Sequence, residues 1–295
     1  MPAEPQADDI IIRDIERFAE MREVEELQKE VWGFSERDIL PFSMLRASRE
    51  VGAILVGAFD CERLVGFAYA FIGIEGGRVM AHSDMLGVKT EYRRHHIGLR
   101  LKLAQRERAL ALGIESMTWT FDPLLGRNAH LNFARLGAVS DRYEVNFYGE
   151  EPSSFLHRAG TDRLWVHWPL NAARVRERIT GRGDSPPVES DFESLASLVS
   201  CDEDGSPNLM DWADARDRER LLVEIPGDIR SLQEKNPELA VEWRGATRSA
   251  FTEAIAAGYL VEEFYRSGST GRTNGAYLLT RGRSVESYLE NPVHD

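Results

Sequence analysis

The fold is decided by the stretch from Val88 to Gly113, which reads VKTEYRRHHIGLRLKLAQRERALALG. A strand ends at its start, a short polar turn follows, and a helical pattern then runs from Leu99 to Leu112. The first turn of a helix has backbone N–H groups without intrahelical partners, and the helix dipole adds partial positive charge there. Such a helix start binds phosphate, and Gly98 would let a ligand approach the backbone because it has no Cβ.

The same stretch is basic within an acidic chain. Its cations between residues 89 and 106 are Lys89, Arg93, Arg94, Arg100, Lys102 and Arg106. Together with the helix start, they predict a local site for a polyanion such as a pyrophosphate. A solvated basic helix face is the alternative interpretation.

The composition predicts a globular protein. The 295 residues are 42% hydrophobic, and their number fits two domains of about 100–200 residues each. A formal net charge of −13 argues against a general binder of nucleic acid or anionic membranes, because both partners would be repelled. Two cysteines are too few for a disulfide framework or a cysteine metal site.

No targeting or membrane segment is indicated. The N-terminal residues MPAEPQADD lack a basic segment followed by an apolar one. No apolar run approaches the roughly 18 residues that a membrane helix needs. We therefore expect a soluble, cytoplasmic protein with neither a membrane nor a nucleic-acid partner.

The elements on either side of the basic helix predict a mixed α/β fold. Strand patterns cover residues 9–16, 53–60, 64–74, 79–90, 116–121, 139–147 and 164–168. Helical patterns cover residues 18–31, 41–52 and 127–136. An antiparallel meander followed by a helix between neighbouring strands is typical of a mixed, mostly antiparallel sheet flanked by helices.

A change of composition marks a domain boundary. Residues 180–192, TGRGDSPPVESDF, concentrate Gly, Pro, Ser and Asp, as linkers do. We therefore predict a first domain over residues 9–170, a helix and flexible linker over 171–192, and a smaller α/β domain over 193–295.

Two motifs carry a family resemblance. The loop from Arg93 to Leu99 resembles the acyl-CoA pyrophosphate loop of the GNAT superfamily, Arg/Gln-x-x-Gly-x-Gly/Ala. Trp119-Thr-Phe-Asp-Pro-Leu124 and Arg127-Asn128 are similar to a predicted-acetyltransferase branch of that superfamily, which also resembles this chain from Glu242 to Tyr259. The resemblance implies an acyl-CoA-dependent N-acyltransferase domain over residues 9–170. Acetyl-CoA would be the donor, with succinyl-CoA as an alternative, and a small amine such as an amino acid would be the acceptor.

The resemblance also implies which residues hold the cofactor. The backbone of Leu86, Gly87 and Val88 would bind the pantetheine arm as an extra strand. Main-chain amides would hold the pyrophosphate, and they belong to Arg93, Arg94, His95, His96, Ile97, Gly98 and Leu99. Asn128 and Asn132, on the next helix, would reach the pantetheine or the substrate.

Two positions depart from the family pattern. His96 stands where the first loop glycine is expected, so its side chain must point away from the phosphates or donate to one. Phe133 stands where a tyrosine often serves as general acid, and phenylalanine cannot protonate a thiolate. Tyr148 and Tyr143 are the alternative donors, and a CoA thiolate, with a thiol pKa near ~8.5, can also leave unassisted.

Asp84 and His82 are the candidate bases that would remove a proton from the attacking ammonium. Alternation with period two places His82, Asp84, Leu86 and Val88 on one face of their strand. A strand-edge hydrogen bonder and a partly buried structural histidine are the alternative interpretations of Asp84 and His82.

The remaining assignments concern the acceptor and the assembly. Asp122 is the candidate for binding a substrate ammonium, with a turn cap before Pro123 as the alternative. His95 and His96 are adjacent on a turn, where two residues rarely face one ion, so no metal is predicted. The alternative function is a non-catalytic acyl-CoA-binding regulatory module. The C-terminal segment would complete the acceptor site, mediate a homodimer, or be a degenerate copy of the first domain.

Overall fold

The computed structural model describes residues 10–93, 95–149, 160–181, 195–266 and 274–289. The chain forms two compact units, which meet in sequence between Trp119 and Thr120. Two predicted features, Arg94 of the phosphate loop and residues 182–192 of the linker, lie outside the described residues.

The first unit is a sheet with helices packed on both faces. Its strands are β1 (Ile10–Asp14), β2 (Ile54–Asp60), β3 (Arg63–Glu75), β4 (Arg78–Val88) and β5 (Ser116–Phe121). Its helices are α1 (Phe18–Trp32), α2 (Phe42–Glu50) and α3 (Ile97–Ala111). The strands β1 to β4 pair antiparallel in chain order, and β5 pairs parallel with β4.

Alternation along β3 explains why helices cover both faces of this sheet. Phe67 and Tyr69 are buried in a cluster with Leu27 of α1, on one face. Gly66 lies on the opposite face, where a Cβ would come within 3.3 Å of Ile97 in α3. Because successive residues of a strand point to opposite faces, an uninterrupted apolar run can be buried on both.

The second unit contains the remaining strands and helices. Its strands are β6 (Val139–Glu144), β7 (Arg163–Pro169), β8 (Ala196–Cys201), β9 (Pro207–Leu209), β10 (Arg220–Ile225), β11 (Tyr259–Arg266) and β12 (Gly275–Arg281), in the spatial order β7-β6-β11-β12-β10-β8-β9. Its helices are α4 (Gly126–Ala129), α5 (Ala173–Thr180), α6 (Trp212–Ala215), α7 (Ile229–Lys235), α8 (Pro237–Ala256) and α9 (Val285–Leu289). π-Helical turns over His130–Arg135 continue α4.

The predicted fold class is confirmed, because the structure is a mixed α/β protein whose strands are mostly antiparallel. The structure adds β8 and β9, which sequence patterns did not indicate. Its compact units divide between residues 119 and 120, and Ser140 of β6 pairs with Val261 of β11 within the second unit. The predicted domain limits stay a prediction.

Replacing Gly57 by alanine should destabilise the first unit. A Cβ at Gly57 would lie 2.6 Å from Phe59 and 2.9 Å from both Ile15 and Leu64. Overpacking of this kind costs about 1–3 kcal/mol of unfolding free energy, which urea denaturation would measure. Gly73→Ala is the matched control, because its Cβ would meet only the Met80 sulfur, at 3.5 Å. Equal unfolding midpoints for the two variants would contradict the packing described here.

Candidate functional site

The strands β4 and β5 diverge partway along β4. Pairing with β3 continues to Val88, whereas β5 pairs with β4 only through Ala81 and His82. In the described part of the chain, residues 83–88 therefore have no partner from β5. The N–H and C=O groups on such an edge can bind an extended ligand as an added strand.

A β-bulge lies where this divergence begins. The pairing of β4 with β3 shifts by one residue between Tyr69 and Phe71, so that Ser83 and Asp84 together oppose a single residue. A bulge bends its strand and redirects side chains, and bulges are frequent beside active sites. Here it places the exposed side chain of Asp84 at the start of the open edge.

The bulge also reverses the alternation on which one prediction depended. His82 packs against Phe71, with 5.2 Å between ring centroids. Val88 lies on the other face, because a Cβ at Gly66 would come within 3.3 Å of both Val88 and Ile97. The prediction that His82 shares one strand face with Leu86 and Val88 is therefore wrong, since the extra residue between them breaks the period of two.

The residue before α3, His96, has a left-handed backbone conformation that is typical of glycine. His96 is the residue before the helix, with φ 54° and ψ 19° in the left-handed region. That conformation costs a residue with a Cβ about 1–2 kcal/mol, and glycine adopts it freely. The side chain of His96 is exposed, so its presence in place of the family glycine leaves the turn intact. No side chain caps the beginning of α3 among the described residues.

Hydrogen bonds from Tyr92 and Arg93 anchor the turn before α3. Thr90–Tyr92 forms a 3-10 turn, and the Tyr92 hydroxyl donates to Asp60 at 2.6 Å. Arg93 Nε donates to the carbonyl oxygen of Val88 at 3.2 Å. These bonds hold the open end of β4 and the start of α3 in a fixed relation, as a preorganised binding loop requires.

Three of the six predicted cations have other roles than binding a polyanion. Lys89 forms an ion pair with Glu30, with 2.8 Å between Nζ and Oε2. Arg100 donates to the backbone carbonyl of Ile10. Lys102 is buried, so the prediction that it helps to hold a polyanion is wrong. The backbone amides at the start of α3 are the groups of this loop best suited to bind a phosphate.

Lys102 belongs to a buried polar network beneath the bulge. Its Nζ donates to Ser83 Oγ at 2.8 Å, and Ser83 donates to Gln105 Oε1 at 2.8 Å. Nζ also lies 3.6 Å from the ring centroid of Trp119, and burial lowers the pKa of Lys102 well below its ordinary value. Sequence reasoning counted this lysine as a surface cation. Its spacing of three and seven residues from Gln105 and Ala109, both buried, was the available signal.

Desolvation shifts the pKa values of the two candidate bases in opposite directions. The Asp84 side chain reaches solvent but is closely surrounded by protein atoms, and this desolvation raises the pKa of its carboxyl. A raised pKa makes a carboxylate a better proton acceptor. His82 Nδ1 lies 2.9 Å from Thr118 Oγ1, and burial lowers the pKa of His82 to about 4. His82 is therefore a neutral, hydrogen-bonded side chain at neutral pH.

Asp122, in the second unit, is a structural residue. Its two carboxylate oxygens accept from the guanidinium of Arg244 at 2.7 and 2.8 Å, and one of them also accepts from the backbone N–H of Leu124. Both side chains are buried. The prediction that Asp122 binds a substrate ammonium is wrong, because a bidentate arginine already occupies its oxygens.

Other predicted residues of the second unit differ in accessibility. Tyr148 is 50% exposed, and its hydroxyl lies 3.5 Å from Thr120 Oγ1. Phe133 is fully buried, so the position of the family's tyrosine contributes to the core. Asn128 is exposed, whereas Asn132 is buried in the π-helical turns. The roles predicted for Tyr148, Asn128 and Asn132 stay predictions.

One buried amide in this unit lacks a hydrogen-bond partner. Asn132 Nδ2 has none among the described residues, and it is 3% exposed. Tertiary structures rarely leave such a donor unsatisfied, and π-helical turns are frequent at functional sites. Both observations are consistent with a ligand contact at Asn132.

The described residues contain no group of three or more His, Cys, Asp or Glu side chains that could hold a metal ion. No helix among them is long and apolar enough to cross a bilayer.

No protein-family model matches the chain, and no curated protein matches it by sequence. Solved structures do resemble it. The ribosomal-protein-S18-alanine N-acetyltransferase of Escherichia coli is 11% identical, with a TM-score of 0.44 over 55% of this chain and 94% of its own. A GNAT-family protein from Desulfovibrio desulfuricans is 12% identical, with a TM-score of 0.43 over 55% of this chain and 99% of its own.

An aminoglycoside 6'-acetyltransferase type Ii is 18% identical, with a TM-score of 0.42 over 54% of this chain and 97% of its own. At such identities and TM-scores, the likeness carries no information on the activity or the substrate.

His82 should make stability depend on pH. Its pKa of about 4 in the folded protein lies below the ordinary value near 6.5, so the unfolded chain binds more protons between these values. Stability should therefore fall as pH falls from about 6.5 towards 4, by on the order of 2–3 kcal/mol from this residue. Urea unfolding at pH 7.5 and 4.5 measures the loss, and His82→Gln should lose that much less. Identical losses in both proteins would refute the assignment.

Proposed function

We propose that the protein is an N-acyltransferase of the GNAT type, which moves a short acyl group from acyl-CoA to a primary amine. The open edge of β4 at residues 83–88, followed at once by the uncapped start of α3, carries this proposal. An extended amide-containing arm fits the edge, and a pyrophosphate fits the helix start. The proposed acceptor is a small molecule such as an amino acid, attacked directly in a ternary complex.

The chain's own backbone would hold the cofactor. The open edge at Leu86, Gly87 and Val88 would bind the pantetheine arm. The amides from Arg93 to Leu99, which include those of His95 and His96, would hold the pyrophosphate. When bound, acyl-CoA supplies the acyl group as a thioester. Acetyl-CoA is the proposed donor. Of the cations that could pair with a succinyl carboxylate, Lys89 and Arg100 already have protein partners, and Arg94 lies outside the described residues.

Asp84 is the proposed general base. It lies at the bulge where the edge opens, its side chain reaches solvent, and its pKa is raised by desolvation. At neutral pH the carboxylate would take a proton from the ammonium of the acceptor, directly or through one water. His82 would be neutral, and its hydrogen bond to Thr118 would fix its ring beside the reacting groups. It would not exchange protons during the reaction.

Binding of acetyl-CoA should depend on the start of α3. Gly98→Trp would place a ring over the first amides of the helix and should lower the affinity at least tenfold in calorimetric titration. His96→Gly should bind at least as well as the unchanged protein, because glycine adopts the left-handed backbone of His96 without strain.

Gly245→Trp is the matched control for that titration. It adds the same side chain to an exposed position of α8, where a Cβ meets nothing within 4 Å, and should leave affinity unchanged. If acetyl-CoA, succinyl-CoA and CoA all fail to bind the unchanged protein, the acyltransferase proposal is lost.

Asp84→Asn should separate binding from chemistry. Thiol release from acetyl-CoA, measured with a panel of amino acids and other small amines, should fall about 10²–10⁴-fold, while affinity for acetyl-CoA stays the same. The unchanged enzyme should also lose rate as pH falls through the raised pKa of Asp84, because the carboxylate must be ionised to accept a proton.

Glu115→Gln makes the same chemical change at an exposed position of the first unit and should keep full activity. An active Asp84→Asn variant would exclude this residue as the base. Tight binding without turnover of any amine would instead favour the non-catalytic acyl-CoA-binding module.

A further inference from the structure

Arg163, at the start of β7 in the second unit, is a buried cation. It is 8% exposed, and its Nη1 donates to the backbone oxygen of Asp162 at 2.8 Å. Its guanidinium carbon lies 5.1 Å from the ring centroid of Tyr148. Across the described chain, these are the guanidinium's only hydrogen bond and ring contact, and Arg163 has no carboxylate within ion-pair distance there.

The acids that act electrostatically on Arg163 are committed to other cations. Asp122 is held by both nitrogens of the Arg244 fork. Asp162 accepts from Arg248 at 2.8 and 2.9 Å, and also from the Tyr143 hydroxyl at 2.7 Å. Both oxygens of each carboxylate therefore already accept hydrogen bonds from donors other than Arg163.

The balance of charge leaves this part of the molecule positive. Asp122 and Asp162 carry two negative charges, whereas Arg163, Arg244 and Arg248 carry three positive ones. Burial lowers the pKa of Arg163, whereas the charges of Asp122 and Asp162 act in the opposite direction. A buried charge is ordinarily paired, because an unpaired one gives up its hydration without a compensating partner.

We propose that Arg163 binds the carboxylate of a small organic acid. A guanidinium presents parallel N–H donors that match a carboxylate, and one negative charge neutralises the excess of one positive charge. Phosphate, which carries nearly two charges at neutral pH, would overcompensate it. The Tyr148 ring orients the guanidinium by a cation–π contact, and the Tyr148 hydroxyl lies 3.5 Å from Thr120 Oγ1. The site lies within the second unit and does not depend on the proposed acyl transfer.

The test measures thermal stability with a carboxylate that has no amine to acylate. N-acetylglycine should give a saturable rise in Tm of about 2–5 °C. N-acetylglycinamide, its uncharged analogue, and sodium chloride at equal ionic strength should not. Arg163→Met should abolish the rise and leave the unliganded Tm unchanged or higher, because it removes an uncompensated buried charge.

Arg248→Met is the matched control. It deprives buried Asp162 of its guanidinium, so it should lower the unliganded Tm and yet keep the rise with N-acetylglycine. Arg163→Lys keeps the charge without the fork and should weaken the rise. The carboxylate assignment is overturned if Arg163→Met keeps the rise, if the amide or chloride matches it, if phosphate exceeds it, or if the unchanged protein shows none. An Arg163→Met variant that is as unstable as Arg248→Met would mark Arg163 as structural.

Discussion

The chemistry proposed for the first unit depends on the separation of β5 from β4 beyond His82. An interior strand normally has its N–H and C=O groups satisfied from both sides, so an open edge inside a sheet is a specific arrangement. The bulge at Ser83 and Asp84 helps to produce it, because two residues fit where the partner strand has one. The same distortion sends Ser83 into the core and leaves Asp84 at the surface.

The core directly beneath that edge is polar. Lys102, Ser83 and Gln105 join α3 to β4 by side-chain hydrogen bonds, and the ring of Trp119 covers the ammonium position of the lysine. An apolar core would pack equally well without the cost of desolvating an amine. A hydrogen-bonded network, in contrast, fixes both the orientation and the distance of α3 relative to β4. It therefore holds the start of α3 in a fixed position beside the open edge.

Local patterns predicted most of this arrangement. The strand, turn and helix between Val88 and Gly113 followed from spacing and glycine placement, and the loop motif indicated the fold. The bulge could not be predicted, because the faces of a strand are assigned from a fixed period of two residues. A single extra residue leaves no recognisable pattern in the sequence. Lys102 was assigned to the surface because residue type was given more weight than helical spacing.

Contacts distant in sequence could not be predicted at all. Asp122 is predicted to bind a substrate ammonium, because no nearby residue in the sequence indicates its ion pair with Arg244. Arg163 likewise lacks an ion pair among the described residues because Arg248 pairs with Asp162 and Arg244 pairs with Asp122. A single sequence identifies the charged residues but does not show which of them form ion pairs.

The ion pair between Asp122 and Arg244 has a consequence for biosynthesis. Its partners are 122 residues apart, which at a ribosomal rate of roughly 5–20 residues per second corresponds to roughly 6–24 s of elongation. During that interval β6 is complete while β11, the strand that pairs with it, has not been made. The nascent chain therefore presents an unpaired strand edge for many seconds, and its yield in the cell will depend on what shields that edge until α8 and β11 emerge.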